Sequence, residues 1–285
     1  MTLLFPMTTD DGFVFAATGA QYRGLAQRAA RSLRAVMGDD IQIDLFADAP
    51  VDDPVFNQVH ILNYVGTRPK MEALRESRFT QTVYLDCDVV AVADCSDMFA
   101  LLRQFDCIGA HDQYGNGTVP MHQPTQDLPT GFRQINSGVM GIRKSDKTQD
   151  FLRSWEQRMT SEGERWDQPV LRELLWESDL RVWILPPEYN LMHTGYLPAM
   201  GKRMAAPRLL HITTLHEIIG IDEKTDQPFD LTELLGERAL TALHDLLGRD
   251  RTLGAAPSAR DRIGDLLRRY PKVEKRARSI WRRLR

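Results

Sequence analysis

Thr82-Val83-Tyr84-Leu85-Asp86-Cys87-Asp88-Val89-Val90 is the stretch on which the reading of the fold turns. Four consecutive apolar or β-prone residues, Thr82 to Leu85, form a short buried strand that delivers Asp86 to its C-terminal end. Open α/β sheets bind their ligands at that end. In extended backbone, side chains two apart point to the same side, so Asp86 and Asp88 face one point while Cys87 packs the other way. Two converging carboxylates repel each other unless a cation sits between them. Oxygen ligands suit a hard divalent ion, Mn²⁺ or Mg²⁺, of the kind that bridges to a diphosphate. On these residues alone a second reading stays open: one aspartate caps the following helix and the other is solvated.

Outward from this strand, short β-rich runs alternate with helical patterns. Phe13–Thr18 reads as a first strand, and Tyr22–Met37 as a helix with Leu25, Ala29, Leu33 and Val36 on one face, stopped by Gly38. Ile41–Phe46 and Val59–Leu62 are the next strands, and Lys70–Arg78 is a short helix leading into the acidic strand. Beyond it come a helix at Ser96–Arg103, strands at Cys107–Ala110 and Ile135–Arg143, and helices at Asp146–Thr160 and Gln168–Glu177. Val182–Leu185 and Arg208–Ile212 are the last strands. Strands separated by helices predict α/β layering with a mainly parallel sheet flanked by helices. Residues 112–131 carry three glycines and three prolines, as expected of a binding loop, a lid or a disordered segment.

The 285 residues bury enough surface for a core without a disulfide or metal staple. Apolar content of 42% with 26% charge excludes wholesale disorder. Cys87, Cys95 and Cys107 form no C-x-x-C pair, which fits a reducing cytoplasm. The first residues lack a basic segment and a long apolar run, so no signal peptide is expected, and no apolar run is long enough to span a membrane. The net charge of −3 divides unevenly: residues 1–259 hold 25 basic and 36 acidic residues, whereas 260–285 hold 11 and 3. The chain therefore reads as a body over 1–248, a linker over 249–259 and a basic helical tail over 260–285 that is divided by Pro271. An acidic body without a recognition motif argues against nucleic acid as a partner. Ile263, Leu266, Leu267 and Trp281 among the basic residues suit an anionic membrane surface, which would place the chain peripherally on the inner face of the membrane. A solvated or docked helix, or an acidic partner, are the alternatives for this tail.

YLDCDVVAVADCSDMF resembles the Asp-x-Asp region of GT-A-fold glycosyltransferases. Four further segments fall in the order of that family: FAATGAQYRGLAQRAARSLRAV; Lys70 opening its helix; Ile135-Asn136-Ser137-Gly138-Val139-Met140-Gly141-Ile142; and Trp166-Asp167-Gln168-Pro169. Leu185-Pro186-Pro187-Glu188-Tyr189-Asn190 and Leu210-His211-Ile212 follow. Together they are similar to family 8-like nucleotide-diphospho-sugar transferases. The resemblance implies a metal-dependent hexosyltransferase that moves a sugar from a nucleotide-diphosphate sugar, a UDP-sugar, to a glycan or other hydroxyl acceptor, retention being favoured over inversion.

By the same resemblance Asp86, Asp88 and His211 hold the metal, Asp86 being shared with the ribose. Thr18, Gly19 and Tyr22 take the nucleotide, with Tyr22 either stacked on the base or packed on its helix. Lys70 faces phosphate or is an exposed helix-start cation. Asn136, Ser137 and Gly138 contact the donor sugar or form a bulge. Asp167 is a base for the acceptor hydroxyl and Gln168 lies near the anomeric carbon; on residues alone, Asp167-Gln168 is a helix cap. Where the family continues with a phosphate-binding Gly and Lys-Pro-Trp, this chain has Thr213-Thr214-Leu215-His216, leaving Lys70, Arg68 or Lys202 for that task. Two rival functions are a nucleotidyltransferase that makes the activated sugar and a non-catalytic nucleotide-sugar-binding protein. The first lacks its usual Gly-rich basic segment after Thr18.

Overall fold

The computed structural model describes residues 3–63, 68–161, 163–218, 220 and 223–269. The first strand, β1 (Asp11–Ala17), is buried along its whole length. Phe13, Phe15 and Ala17 enter one hydrophobic layer and Val14 and Ala16 the other, the alternation expected when both faces of a sheet are covered. Gly19, at φ 87°, turns the chain into α1 (Ala20–Met37), whose Leu25, Ala26, Ala29, Ala30 and Leu33 lie in the first layer. Full burial of each leucine contributes roughly 1.5–3 kcal/mol. Then come β2 (Ile43–Ala47), β3 (Gln58–Ile61), α2 (Lys70–Glu76), β4 (Gln81–Leu85) and the short β5 (Val89–Ala91).

The second half runs α3 (Asp97–Leu102), β6 (Cys107–His111), α4 (Thr118–Met121), β7 (Ile135–Arg143), α5 (Asp146–Ser161), α6 (Asp167–Glu177), β8 (Val182–Leu185) and β9 (Leu209–His211). It ends with α7 (Leu231–Arg249), interrupted at Gly236, and α8 (Ala259–Arg268). The seven-stranded sheet has the order β3-β2-β1-β4-β7-β6-β8. Its pairs are parallel except that β7 runs antiparallel to both β4 and β6. This one reversed strand matters for the site. It makes β7 begin where β4 ends, so the Asn136-Ser137-Gly138 segment lies beside Asp86, whose N–H donates to the Gly138 carbonyl at 2.8 Å. A separate two-stranded sheet pairs β5 antiparallel with β9, setting Val89 opposite His211.

Three regions depart from the sequence reading. The loop over 112–131 contains α4 and is tied down: the backbone N–H groups of Thr125 and Gln126 and the Thr125 hydroxyl donate to Glu173, which is buried on α6. The stretch expected as a linker starts as a packed cap, because buried Asp250 accepts from Ala206 N, Arg208 Nη1 and Thr252 N. Helix α7 is absent from the sequence reading; its Ala239, Leu243 and Leu246 belong to the core. Of the basic tail, α8 exposes Ile263 and Leu266, and residues 270–285 lie outside the described residues. Among the described residues no helix is long and apolar enough to cross a membrane.

Candidate active site

The chain turns as soon as β4 ends. Val89 N–H donates to the Asp86 carbonyl at 3.1 Å, so Asp86-Cys87-Asp88 is a turn and not a continuation of the strand. The carboxylates converge because of that turn, which corrects the alternation argument. Cys87 does point away: it is buried, its Sγ lies 3.4 Å from the Ala16 carbonyl, and burial holds the thiol well above its ordinary range. Pointing that way, its sulfur does not join the ligand atoms of Asp86, Asp88 and His211.

His211 arrives from the other direction, at the end of β9. The Ile212 N–H donates to the Asp88 carbonyl at 3.0 Å, which fixes β9 beside the turn. One ligand atom each from Asp86, Asp88 and His211 lies within 4.8 Å of the others. His211 Nε2 is 3.2 Å from Asp88 Oδ1, and its Nδ1 is 3.0 Å from Asn190 Oδ1. Asn190 is oriented in turn by Asn136, whose Oδ1 accepts from Asn190 Nδ2 at 3.0 Å. Burial favours neutral imidazole, but Asp88 reverses this and raises the His211 pKa; the Asp88 carboxyl is lowered against its own burial by the same contact. Gly138 permits the close approach: a Cβ there would stand 2.3 Å from His211 Cε1 and 2.7 Å from Asp86 Oδ2.

Lys70 opens α2 but does not face solvent. Its ammonium is buried 3.2 Å from Asp86 Oδ1 and 3.2 Å from Asp167 Oδ2, and it donates to Ser137 Oγ at 3.0 Å. Burial pulls its pKa down, and Asp167 and Asp86 together push it above the ordinary value, so it stays charged. Ser137 donates onward to Asp167 at 2.8 Å, and Tyr84 OH donates to Asp86 at 2.7 Å. Burial would raise the Asp167 carboxyl; Lys70, Arg68 and the Ser137 hydroxyl overcome it and hold the group at about 2. Gln168 Oε1 accepts from Ser137 N at 3.0 Å while its Nε2 donates to Asp112 at 3.0 Å.

The predicted residues thus separate into two groups. Thr18, Tyr22, Lys70, Asp86 and Asp88 line one cleft of about 260 Å³, together with Arg68 and His216. Asn136 and Ser137 are buried and hold other site residues in place, Asn136 donating to Asp112 at 3.2 Å. The Gly19 N–H is taken by Asp48 at 2.8 Å, and Lys202 is exposed and does not line the cleft. Asp112, Asn190, Tyr84 and His216 escaped the sequence reading. Asp112 and His216 carry no local signature, whereas Tyr84 and Asn190 belong to segments already similar to the family.

Comparison with known proteins bears on this arrangement. The model of the nucleotide-diphospho-sugar transferase family matches residues 48–227. No curated protein matches the chain in sequence. Among solved structures, galactosyltransferase LgtC in complex with donor and acceptor sugar analogs is similar with a TM-score of 0.54 and 15% identity, over 87% of this chain and 98% of that one. An active-site mutant of LgtC gives 0.52 and 17%, over 70% of this chain and 86% of that one. Glycosyltransferase GlyE of Streptococcus pneumoniae TIGR4 gives 0.54 and 18% over 82% of this chain, which spans only 62% of GlyE. These likenesses concern the fold, a mixed, mainly parallel sheet flanked by helices. With the family match covering more than half of its length, the chain belongs to the nucleotide-diphospho-sugar transferase family and is a glycosyltransferase of GT-A fold.

Proposed function

We propose that the chain transfers a hexose from a UDP-sugar to a glycan or other hydroxyl acceptor, with retention, using a divalent ion held by Asp86, Asp88 and His211. The observation that carries this reading is the convergence of two carboxylates and an imidazole around a glycine that leaves them room. The residues fit such an ion. Asn190 Oδ1 lies 3.0 Å from His211 Nδ1 and would accept its proton, so that an ion displacing the proton between Nε2 and Asp88 would find Nε2 free to ligate it. A donor set of two carboxylates and one imidazole suits Mn²⁺ better than Mg²⁺, which prefers oxygen throughout. When bound, the ion supplies positive charge to the departing diphosphate as a Lewis acid.

The chain's own groups divide the remaining work. Lys70 bridges Asp86 and Asp167 and keeps them in register, and Tyr84 donates to the same Asp86 oxygen, Oδ1, that faces the ammonium. The Asp167 carboxylate is already engaged by Lys70, Arg68 and the Ser137 hydroxyl, so its part is to orient the donor sugar with Gln168 and not to deprotonate the acceptor. That leaves the departing phosphate oxygen to take the acceptor proton, in keeping with front-face attack and retention. Residues 1–248, closed by the packed cap around Asp250, form the catalytic body. The basic segment over 260–285, entered through α8 with exposed Ile263 and Leu266, is proposed to rest on an anionic membrane surface. Loss of sedimentation with anionic vesicles on deleting 260–285 tests that part.

The experiment for the function is a panel of nucleotide sugars assayed for hydrolysis with Mn²⁺ and with a chelator. Mn²⁺-dependent release of uridine diphosphate is the expected result. Pyrophosphate release from a nucleoside triphosphate and a sugar phosphate would favour the nucleotidyltransferase, and binding without any turnover a non-catalytic protein.

A further inference from the structure

We infer that His216 is the second wall of the nucleobase slot, so that the donor's base is clasped between Tyr22 and His216 and not laid against one ring. This slot presupposes the donor reading proposed above. The two rings stand 27° from parallel with centroids 6.3 Å apart. The other ring contacts among the described residues are closer, between 4.3 and 5.2 Å. Both rings line the cleft that contains Asp86 and Asp88. Tyr22 is 42% exposed, more than a ring packed on its own helix requires.

A planar base needs about 3.5 Å of clearance on each face, about 7 Å in all. The centroid separation of 6.3 Å is the most the gap can be, so the two side chains rotate apart by about 1 Å or more to admit a base. Both walls are held at their bases. Tyr22 sits on the first turn of α1, and His216 on a single 3₁₀ turn, Leu215–Glu217, anchored by fully buried Leu215. Gln21 Nε2 donates to the His216 carbonyl at 2.5 Å and couples the two. That turn lies five residues beyond His211, so the segment that brings the imidazole to Asp88 also carries the second ring to the slot. The ligand this geometry fits is a nucleoside with a flat heteroaromatic base, its diphosphate directed toward Asp86 and Asp88. Stacking on aromatic faces depends on the ring and not on its charge.

Calorimetry of the full chain with uridine diphosphate and with uridine, at fixed Mn²⁺, tests the slot through His216→Ala, His216→Phe and His216→Lys. A stacking wall predicts that His216→Ala weakens both ligands by about tenfold, the scale of one base–aromatic contact. His216→Phe should restore both, and His216→Lys neither. If His216→Ala weakens uridine diphosphate alone, or if Lys and not Phe restores it, His216 is a phosphate ligand and the slot is refuted. Unchanged binding in all three variants refutes it as well, while leaving the donor reading intact. A wild-type chain that binds neither ligand overturns the donor reading, and the slot with it.

Discussion

Replacing Gly138 by alanine adds one methyl group at the place where the two halves of the site meet. The new Cβ would lie 2.3 Å from His211 Cε1, 2.7 Å from Asp86 Oδ2 and 3.0 Å from His211 Nδ1. Ordinary contact begins at about 3.5 Å, so the imidazole must retreat by about 1 Å and the carboxylate by somewhat less. Neither is free to do so: His211 is held by Asn190 at 3.0 Å, and Asp86 by Tyr84 at 2.7 Å and Lys70 at 3.2 Å. Overpacking of this kind costs about 1–3 kcal/mol of stability, and displacing oriented ligands lowers metal affinity by about 10–100-fold. Gly141, three residues along the same strand, is the control. A Cβ there meets Ile108 and Leu102 at 2.5–3.0 Å, so it imposes a comparable packing cost without touching a ligand. Mn²⁺ titration followed by calorimetry, with thermal melts of both variants, separates the effects. Gly138→Ala should lose both stability and metal affinity, and Gly141→Ala stability alone. A folded Gly138→Ala chain that binds Mn²⁺ like the wild type would refute the reasoning.

Two further outcomes follow from charges buried in the fold. Asp167 is depressed to about 2, so its contribution is fully present above the ordinary carboxylate range and is lost as pH falls through about 2. A depression of this size corresponds to about 2 kcal/mol. The stability gap between wild type and Asp167→Asn in urea melts should therefore be largest near neutrality and shrink below pH 4; a gap independent of pH contradicts the assignment. Asp250→Ala removes the partner of Arg208, both side chains being 3% exposed at 3.1 Å. It should cost about 3–5 kcal/mol by leaving a buried cation unpaired, and a denaturation midpoint within error of wild type would rule out that pairing as a stabilising contact.

The parts of the fold that the sequence announces are those whose signals are local. The strand ending at Leu85 and the helix carrying Leu25, Ala29 and Leu33 advertise themselves through alternation and helical spacing. Asp86 and Asp88 were paired for a reason that the turn replaces, although the outcome, convergence on one point, is the same. Helix α7 carries Leu231, Leu234, Leu235, Ala239, Leu243 and Leu246, but Gly236 at φ 70° breaks the pattern that would have announced it. Asp112 and His216 are brought to the site by sheet order and by β9, and single residues of those types have no spacing to betray them. The destination of Lys70 was equally hidden. A lysine that opens a helix looks like a surface cation until two carboxylates from other elements enclose it.

Asp88→Ala, assayed side by side for Mn²⁺ binding and for Mn²⁺-dependent release of uridine diphosphate from a UDP-sugar, puts the metal-centred site to its most direct test. Among the described residues the Asp88 carboxylate pairs with His211 alone, at 3.2 Å, and the carbonyl that holds β9 in place belongs to the backbone, so the fold should survive. Loss of both Mn²⁺ binding and turnover in a chain that melts like the wild type is the expected result. A folded Asp88→Ala chain that still releases uridine diphosphate in a Mn²⁺-dependent manner would contradict it.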